Sequence, residues 1–258
     1  MTPRKPLALA NWKMAMTISA SLAFIGEFRI AVSNLTEAVN VVICPPYTGL
    51  YAISQELTGS PVELGAQNLY AAPGIAHTGE ISASLLADAG CKWIMLGHWE
   101  TRRLRGETDT DVNTKMHAGL QAGLCPILMM GEAAKERGRV EKTLAKRLAD
   151  LFADCEPEQA ARLAICYEPE WTIGAEQPAS SDVITAGCAF IRRWIEQAYG
   201  TDVAKQVRII YGGSVTPEHA ERLLISPDVD GLGASRMGRN PIAFAKIVRV
   251  IAAVKGLV

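Results

Sequence analysis

Short apolar runs rich in β-favouring residues recur along the whole chain, each followed by a longer stretch whose apolar positions are spaced by three and four. The runs are Leu7 to Asn11, Val39 to Cys44, Val62 to Ala66, Trp93 to Leu96, Cys125 to Met129, Leu163 to Tyr167, Val207 to Tyr211 and Val229 to Gly233. Between them, sets such as Ile18, Leu22, Ile25, Phe28 and Ile184, Cys188, Ile191, Ile195 predict helices with one apolar face. The runs are largely apolar throughout rather than alternating, the pattern of parallel strands covered on both faces by helices. Eight repeats of about 32 residues fit a closed (β/α)8 barrel of the α/β class, with an open doubly wound sheet as the competing arrangement. No Gly/Ser linker, low-complexity tract or shift in composition divides residues 1–258, so a single barrel domain is expected. The longest aperiodic stretch, Glu168 to Ser180, follows the sixth run, and a loop of that length points to a lid.

Composition narrows the function classes. A 49% hydrophobic chain can bury a sizeable core. With 26 basic against 27 acidic residues and a net charge of -1, it has no global field for nucleic acid or an anionic membrane surface, so any anion must be bound locally. No apolar run reaches the roughly 18 residues that span a bilayer. The start Met1-Thr2-Pro3-Arg4-Lys5-Pro6 lacks the apolar stretch of a signal peptide, and a soluble, cytoplasmic protein is expected. The six cysteines, Cys44, Cys91, Cys125, Cys155, Cys166 and Cys188, are scattered without C-x-x-C spacing and read as reduced thiols. Neither a metal-ligand cluster nor a nucleotide fingerprint is present, so no metal and no cofactor are expected.

In a barrel of this kind reactive groups sit where strands end and βα loops begin. The first run ends in Asn11-Trp12-Lys13-Met14, the fourth in Gly97-His98-Trp99-Glu100, the sixth in Glu168-Pro169-Glu170-Trp171 and the seventh in Tyr211-Gly212-Gly213-Ser214-Val215. Taken singly each has a bland reading: a solvated lysine, a structural histidine, a Glu-Pro strand end, a tight turn. The barrel places all four on one face. The Gly-Gly-Ser turn is expected to open a helix whose N-terminal N–H groups suit a phosphate dianion.

The order and surroundings of these segments resemble the triosephosphate isomerase family along almost the entire chain. Further matches are Ala66-Gln67-Asn68, Thr78-Gly79-Glu80-Ile81-Ser82, Gly106-Glu107-Thr108-Asp109, Gly131-Glu132, Ile173-Gly174 and the approach Pro227-Asp228-Val229-Asp230-Gly231. The resemblance implies a TIM barrel that isomerises a small phosphorylated sugar, in glycolysis and gluconeogenesis, without a cofactor. Asn11, Lys13, His98 and Glu168 become the catalytic group. Gly174, Ser214 and the loop after the eighth strand, Ser235 and Arg236 here, would hold the phosphate, with Glu100 and Gln67 as supports. The family is itself the standard example of a Glu base and a neutral His electrophile beneath a loop that excludes water. A base is required because moving a carbonyl between adjacent carbons means removing one proton and returning it one carbon away. Trp171 and Ile173 would latch the lid, and Pro169 would fix one end of it. The long loop Gln67 to Gly79 implies a homodimer, with Thr78 of one subunit beside Lys13 of the other.

Some positions depart from the family. Its usual His-Ser-Glu reads His98-Trp99-Glu100, which predicts bulk at the reactive end of the pocket. Its usual Gly-Gly after strand eight reads Ser235-Arg236, which adds a positive charge and a fork of donors. Ala15, Met129 and Gln177 stand where asparagine, cysteine and lysine are usual. Three readings follow: triose-phosphate isomerisation, isomerisation of another small sugar phosphate such as a tetrulose phosphate, and a catalytically weak sugar-phosphate-binding paralogue. A Schiff-base aldolase using Lys13 is disfavoured by the neighbouring Glu100.

Overall fold

A computed structural model describes residues 4–257, so Met1 to Pro3, part of the start Met1 to Pro6 that lacks a signal peptide's apolar stretch, lie outside the described residues. The strands are β1 (Leu7–Asn11), β2 (Asn40–Cys44), β3 (Glu63–Ala66), β4 (Trp93–Leu96), β5 (Cys125–Met130), β6 (Ala164–Tyr167), β7 (Arg208–Gly212) and β8 (Gly231–Ala234). All neighbours pair in parallel, and β8 closes on β1 with Leu7 opposite Gly231 and Ala10 opposite Ala234. That closure excludes the open sheet. Val39, Val62 and Val207 fall one residue short of their strands, although each is buried. Their burial comes from packing beneath the barrel rather than from ladder pairing, which hydrophobicity alone does not separate.

Strands that are apolar throughout still obey the period of two. Leu7, Leu9, Val42, Cys44, Trp93, Met95, Ile127, Met129, Ala164, Cys166 and Ile210 form one buried cluster, the filling of the barrel. The alternate residues, among them Ala8, Ala10, Val41, Ile43, Ile94, Leu128, Ile165 and Ile209, join the larger cluster between barrel and helices. The helix Ser181–Tyr199 buries Ile184, Cys188, Ile191 and Ile195 as its spacing predicts. The first helix, Ile18–Ala31, is a correction: it buries Ser21, Phe24, Ile25 and Phe28, while Ile18 is exposed. Phe24 meets Trp12 edge-on and stacks on Phe28, and this aromatic row turns the helix away from the stripe predicted through Ile18 and Leu22.

At the N-terminal ends of the strands Asp230 accepts from Arg4 (2.7 Å), Arg192 (2.6 Å) and the Ile209 N–H (2.8 Å). This ties β8 to β7 and to the helix Ser181–Tyr199 and leaves the opposite mouth for chemistry. All six cysteines are free thiols. Among the described residues no helix is long and apolar enough to cross a membrane.

Candidate active site

At the C-terminal ends of the strands a cavity of about 210 Å³ is lined by Asn11, Lys13, His98, Glu168, Gly174, Ser214, Ser235 and Arg236. Five separate segments of the chain therefore meet in one pocket. Gln67, Glu100 and Trp99 stand behind this wall, and Thr78 is exposed on the 67–79 loop.

Lys13 leaves the end of β1 in a left-handed conformation, φ 52°, which disfavours a side chain by roughly 1–2 kcal/mol. Both of its backbone groups are held: its N–H donates to Asn11 Oδ1 (2.9 Å) and its carbonyl accepts from Gln67 Nε2 (2.9 Å). Gln67 also donates to Cys44 O (3.0 Å), so one amide fastens Lys13 to the end of β2. The Lys13 ammonium then meets Glu100 Oε1 at 2.6 Å. Burial pushes the Glu100 carboxyl up, but the Lys13 hydrogen bond and the charges of Lys13 and Arg103 outweigh it. The result lies below the usual value.

His98 caps the helix Trp99–Arg105 with its own ring: Nδ1 accepts from the Glu100 N–H at 3.1 Å. A nitrogen that faces an N–H donor carries a lone pair, so the ring proton sits on Nε2 and the imidazole is neutral. Nε2 is 3.5 Å from Glu168 Oε2, which is buried and accepts no hydrogen bond within the protein. A buried carboxylate oxygen without a donor is costly to maintain, and it faces a ring N–H rather than solvent. Glu168 enters the pocket because its N–H continues the ladder to Met130 O (2.7 Å) while Gly131 leaves room beside it. A Cβ on Gly131 would stand 2.3 Å from the Glu168 carbonyl oxygen.

Trp99 corrects the expectation of bulk at the reactive end. Its indole does not line the pocket. It turns away, is 7% exposed, and lies against the Arg147 guanidinium at 4.8 Å and the Arg102 guanidinium at 5.9 Å. Its Nε1–H donates to the backbone carbonyl of Glu168 at 2.9 Å. The direction of a side chain at a helix N-terminus follows from what it packs on, and sequence does not state that.

The lid, 169–179, is anchored at both ends. Trp171 donates to Glu132 (3.3 Å) and is covered by Arg137 at 3.7 Å, and Tyr167 donates to the other oxygen of Glu132 (3.0 Å). Burial, with the Glu132 charge adding to it, pushes the Tyr167 hydroxyl far up, so it stays a donor. The Ala179 N–H donates to Tyr211 (2.9 Å), and the Ser214 hydroxyl reaches the carbonyls of Thr172 (3.0 Å) and Ala175 (2.5 Å). The hydroxyl of Ser214 thus serves the lid, which leaves its backbone to face the pocket. Gly213, φ 114°, must be glycine: a Cβ there would meet Thr172 Oγ1 at 2.1 Å. The helix expected to open at Gly-Gly-Ser begins later, at Pro217, with Thr216 at its cap. The turn 213–216, not a helix terminus, forms that wall.

Several pocket residues escape a reading of strand ends, among them Leu9, Met129, Cys166 and Arg239. Met129 and Cys166 line the floor of the pocket from inside the barrel, and Arg239 lines it one turn beyond Arg236. The period of two within β5 and β6 could have found the first pair. Arg236 is exposed and belongs to none of the ion pairs found among the described residues.

Known proteins match this arrangement. The profile of the family described as Triosephosphate isomerase matches residues 6–251. The Symbiobacterium thermophilum triosephosphate isomerase is 41% identical over 246 residues, covering 95% of this chain and 96% of that protein. The Rhodopirellula baltica enzyme of the same name is 42% identical over 248 residues, covering 95% and 97%. The crystal structure of triosephosphate isomerase from Bartonella henselae superposes with a TM-score of 0.86 at 31% identity, covering 95% of this chain and 98% of that one.

Proposed function

Since this chain belongs to the triosephosphate isomerase family, we propose that Glu168 is the base with which it interconverts dihydroxyacetone phosphate and D-glyceraldehyde 3-phosphate. Glu168 takes the proton next to the carbonyl, leaving an enediolate, and returns it to the adjacent carbon. The Nε2–H of His98, the Asn11 amide and the Lys13 ammonium stabilise the oxygen that gains charge, each such donor contributing about 3–4 kcal/mol. The backbone around Gly174, Ser214 and Ser235, with the Arg236 side chain, holds the phosphate. The observation that carries this reading is the buried, donor-free Oε2 of Glu168 facing His98 across 3.5 Å. Lys13 is engaged by Glu100 at 2.6 Å and suits charge stabilisation rather than Schiff-base chemistry. With the indole of Trp99 outside the pocket, one reason for a substrate larger than a triose is gone.

Glu168→Gln should lower kcat by roughly 10²- to 10⁴-fold, the usual contribution of a general base, while a phosphorylated substrate analogue still binds. Near-normal kcat in purified, folded variant would remove Glu168 from the role.

We read residues 1–258 as one barrel domain, supported by the closure of β8 on β1. We also read the protein as a cytoplasmic homodimer. Free thiols throughout suit a reducing compartment. Met14, beside Lys13, is 98% exposed and Ile75, on the 67–79 loop, is 102% exposed, a cost that a partner surface would remove. Within one chain the hydrogen bonds of Lys13 go to Asn11, Glu100 and Gln67, and Thr78 of a neighbouring subunit would add to them.

A further inference from the structure

The carboxylate of Glu168 accepts no hydrogen bond within the protein, the His98 ring standing 3.5 Å from Oε2, so its aim depends on its backbone. On the N-terminal side, the ladder bond to Met130 O (2.7 Å) supplies that. On the C-terminal side the next residue is Pro169, which has no N–H, so the Glu168 carbonyl is the one polar group by which the Glu168–Pro169 peptide can be held. Its partner is the indole N–H of Trp99, 69 residues away in sequence.

We propose that Trp99 is a positioning residue for the reaction, holding the Glu168–Pro169 peptide in place through its indole N–H; this rests on Glu168 being the base. Trp99 sits between His98 and Glu100, so the bond ties the end of β4, which carries the electrophile, to the end of β6, which carries the base, across β5. The ring is itself fixed. Arg147 and Arg102 lie against it, and Asp109 holds both, at 3.2 Å and 2.7 Å. The choice of the backbone as the attachment point has a chemical consequence. A donor placed on the carboxylate would stabilise its charged form and weaken it as a base. The indole N–H, which can only donate, is spent instead on the carbonyl, and Oε2 stays free. The same peptide begins the lid, so the bond also fixes the point from which residues 169–179 depart.

The test compares Trp99→Phe with a chain carrying benzothienylalanine at position 99, which keeps the shape of the indole and removes only its N–H. Both should lose about 10- to 100-fold in kcat, the scale of a small misplacement of a reacting group, with the affinity for a phosphorylated substrate analogue changed less than about twofold. If Trp99→Phe fails to fold, the benzothienylalanine chain alone decides. Each change is repeated in the Glu168→Gln background, where it should cost almost nothing further, because no base remains to be positioned. A kcat within about twofold of the parent for the benzothienylalanine chain overturns the proposal, since that change removes the bond and little else. So does an equal loss in the Glu168→Gln background, which would place the action of Trp99 elsewhere. Failure of the base assignment itself reads out separately, as near-normal kcat in Glu168→Gln alone.

Discussion

The N–H of Glu100 donates to Nδ1 of His98 at 3.1 Å, which settles the tautomer of the ring that faces Glu168. The donor is an amide at the start of the helix Trp99–Arg105 with no acceptor within the helix, so helix geometry orients His98. Nitrogen NMR of the free enzyme near neutral pH should therefore show a pyridine-type Nδ1 and a pyrrole-type Nε2 for His98. A proton found on Nδ1 would count against the neutral electrophile assigned to this residue.

Glu100 should make stability depend on pH in the acid range. Its carboxyl titrates lower in the folded protein than in the unfolded chain, where it returns to its ordinary value, because, against the opposing effect of burial, the Lys13 hydrogen bond and the charges of Lys13 and Arg103 favour its charged form. The unfolded state then binds more protons in that window, so the stabilisation is present above the ordinary carboxylate value and is lost as pH falls through the lowered one. Glu100→Gln should narrow the difference in Tm between pH 7 and mild acid relative to the parent. The effect is modest because the carboxyl is partly exposed, with 43% of its side-chain surface open. A parallel pH dependence in variant and parent would show that Glu100 is not the group responsible. Lys13 loses its anchor in the same variant, and kcat should fall with it.

Arg236 should contribute to phosphate affinity. It lines the pocket, is exposed, and no ion pair among the described residues occupies its guanidinium. A charge-assisted hydrogen bond is typically worth about 1.5–3 kcal/mol, so Arg236→Ala should weaken binding of a phosphorylated analogue by that amount, read by calorimetry. Arg236→Lys should recover only part of it, since a point charge replaces a fork of donors. Unchanged affinity in Arg236→Ala would leave the grip to backbone N–H groups alone.

Assembly is testable through Ile75. Ile75→Lys should shift sedimentation from dimer to monomer at micromolar concentration and lower kcat, because the environment of Lys13 is completed from the neighbouring subunit in the proposed dimer. A fully active parent that sediments as a monomer would defeat the dimer reading outright.

Much of this protein is legible in its residues taken in order. Eight apolar runs and intervening helical periods specify eight parallel strands covered by helices, because a strand buried on both faces and a helix buried on one leave different marks in sequence. Closure of β8 on β1 rather than an open sheet was decided in three dimensions. Polar residues at strand ends then mark Asn11, Lys13, His98 and Glu168, since the fold itself assigns those ends to one mouth. Three-dimensional packing decided the rest. The stripe of the first helix moved onto Phe24 because Trp12 offered it an edge contact and Phe28 a stacked one. Trp99 swung out of the pocket because Arg147, Arg102 and a backbone carbonyl 69 residues away gave the indole better partners than the cavity did. The hydroxyl of Ser214 went to the lid for the same reason. Local spacing records which face a residue takes relative to its own element, whereas the partner it finds across the barrel is fixed only when distant segments close on one another.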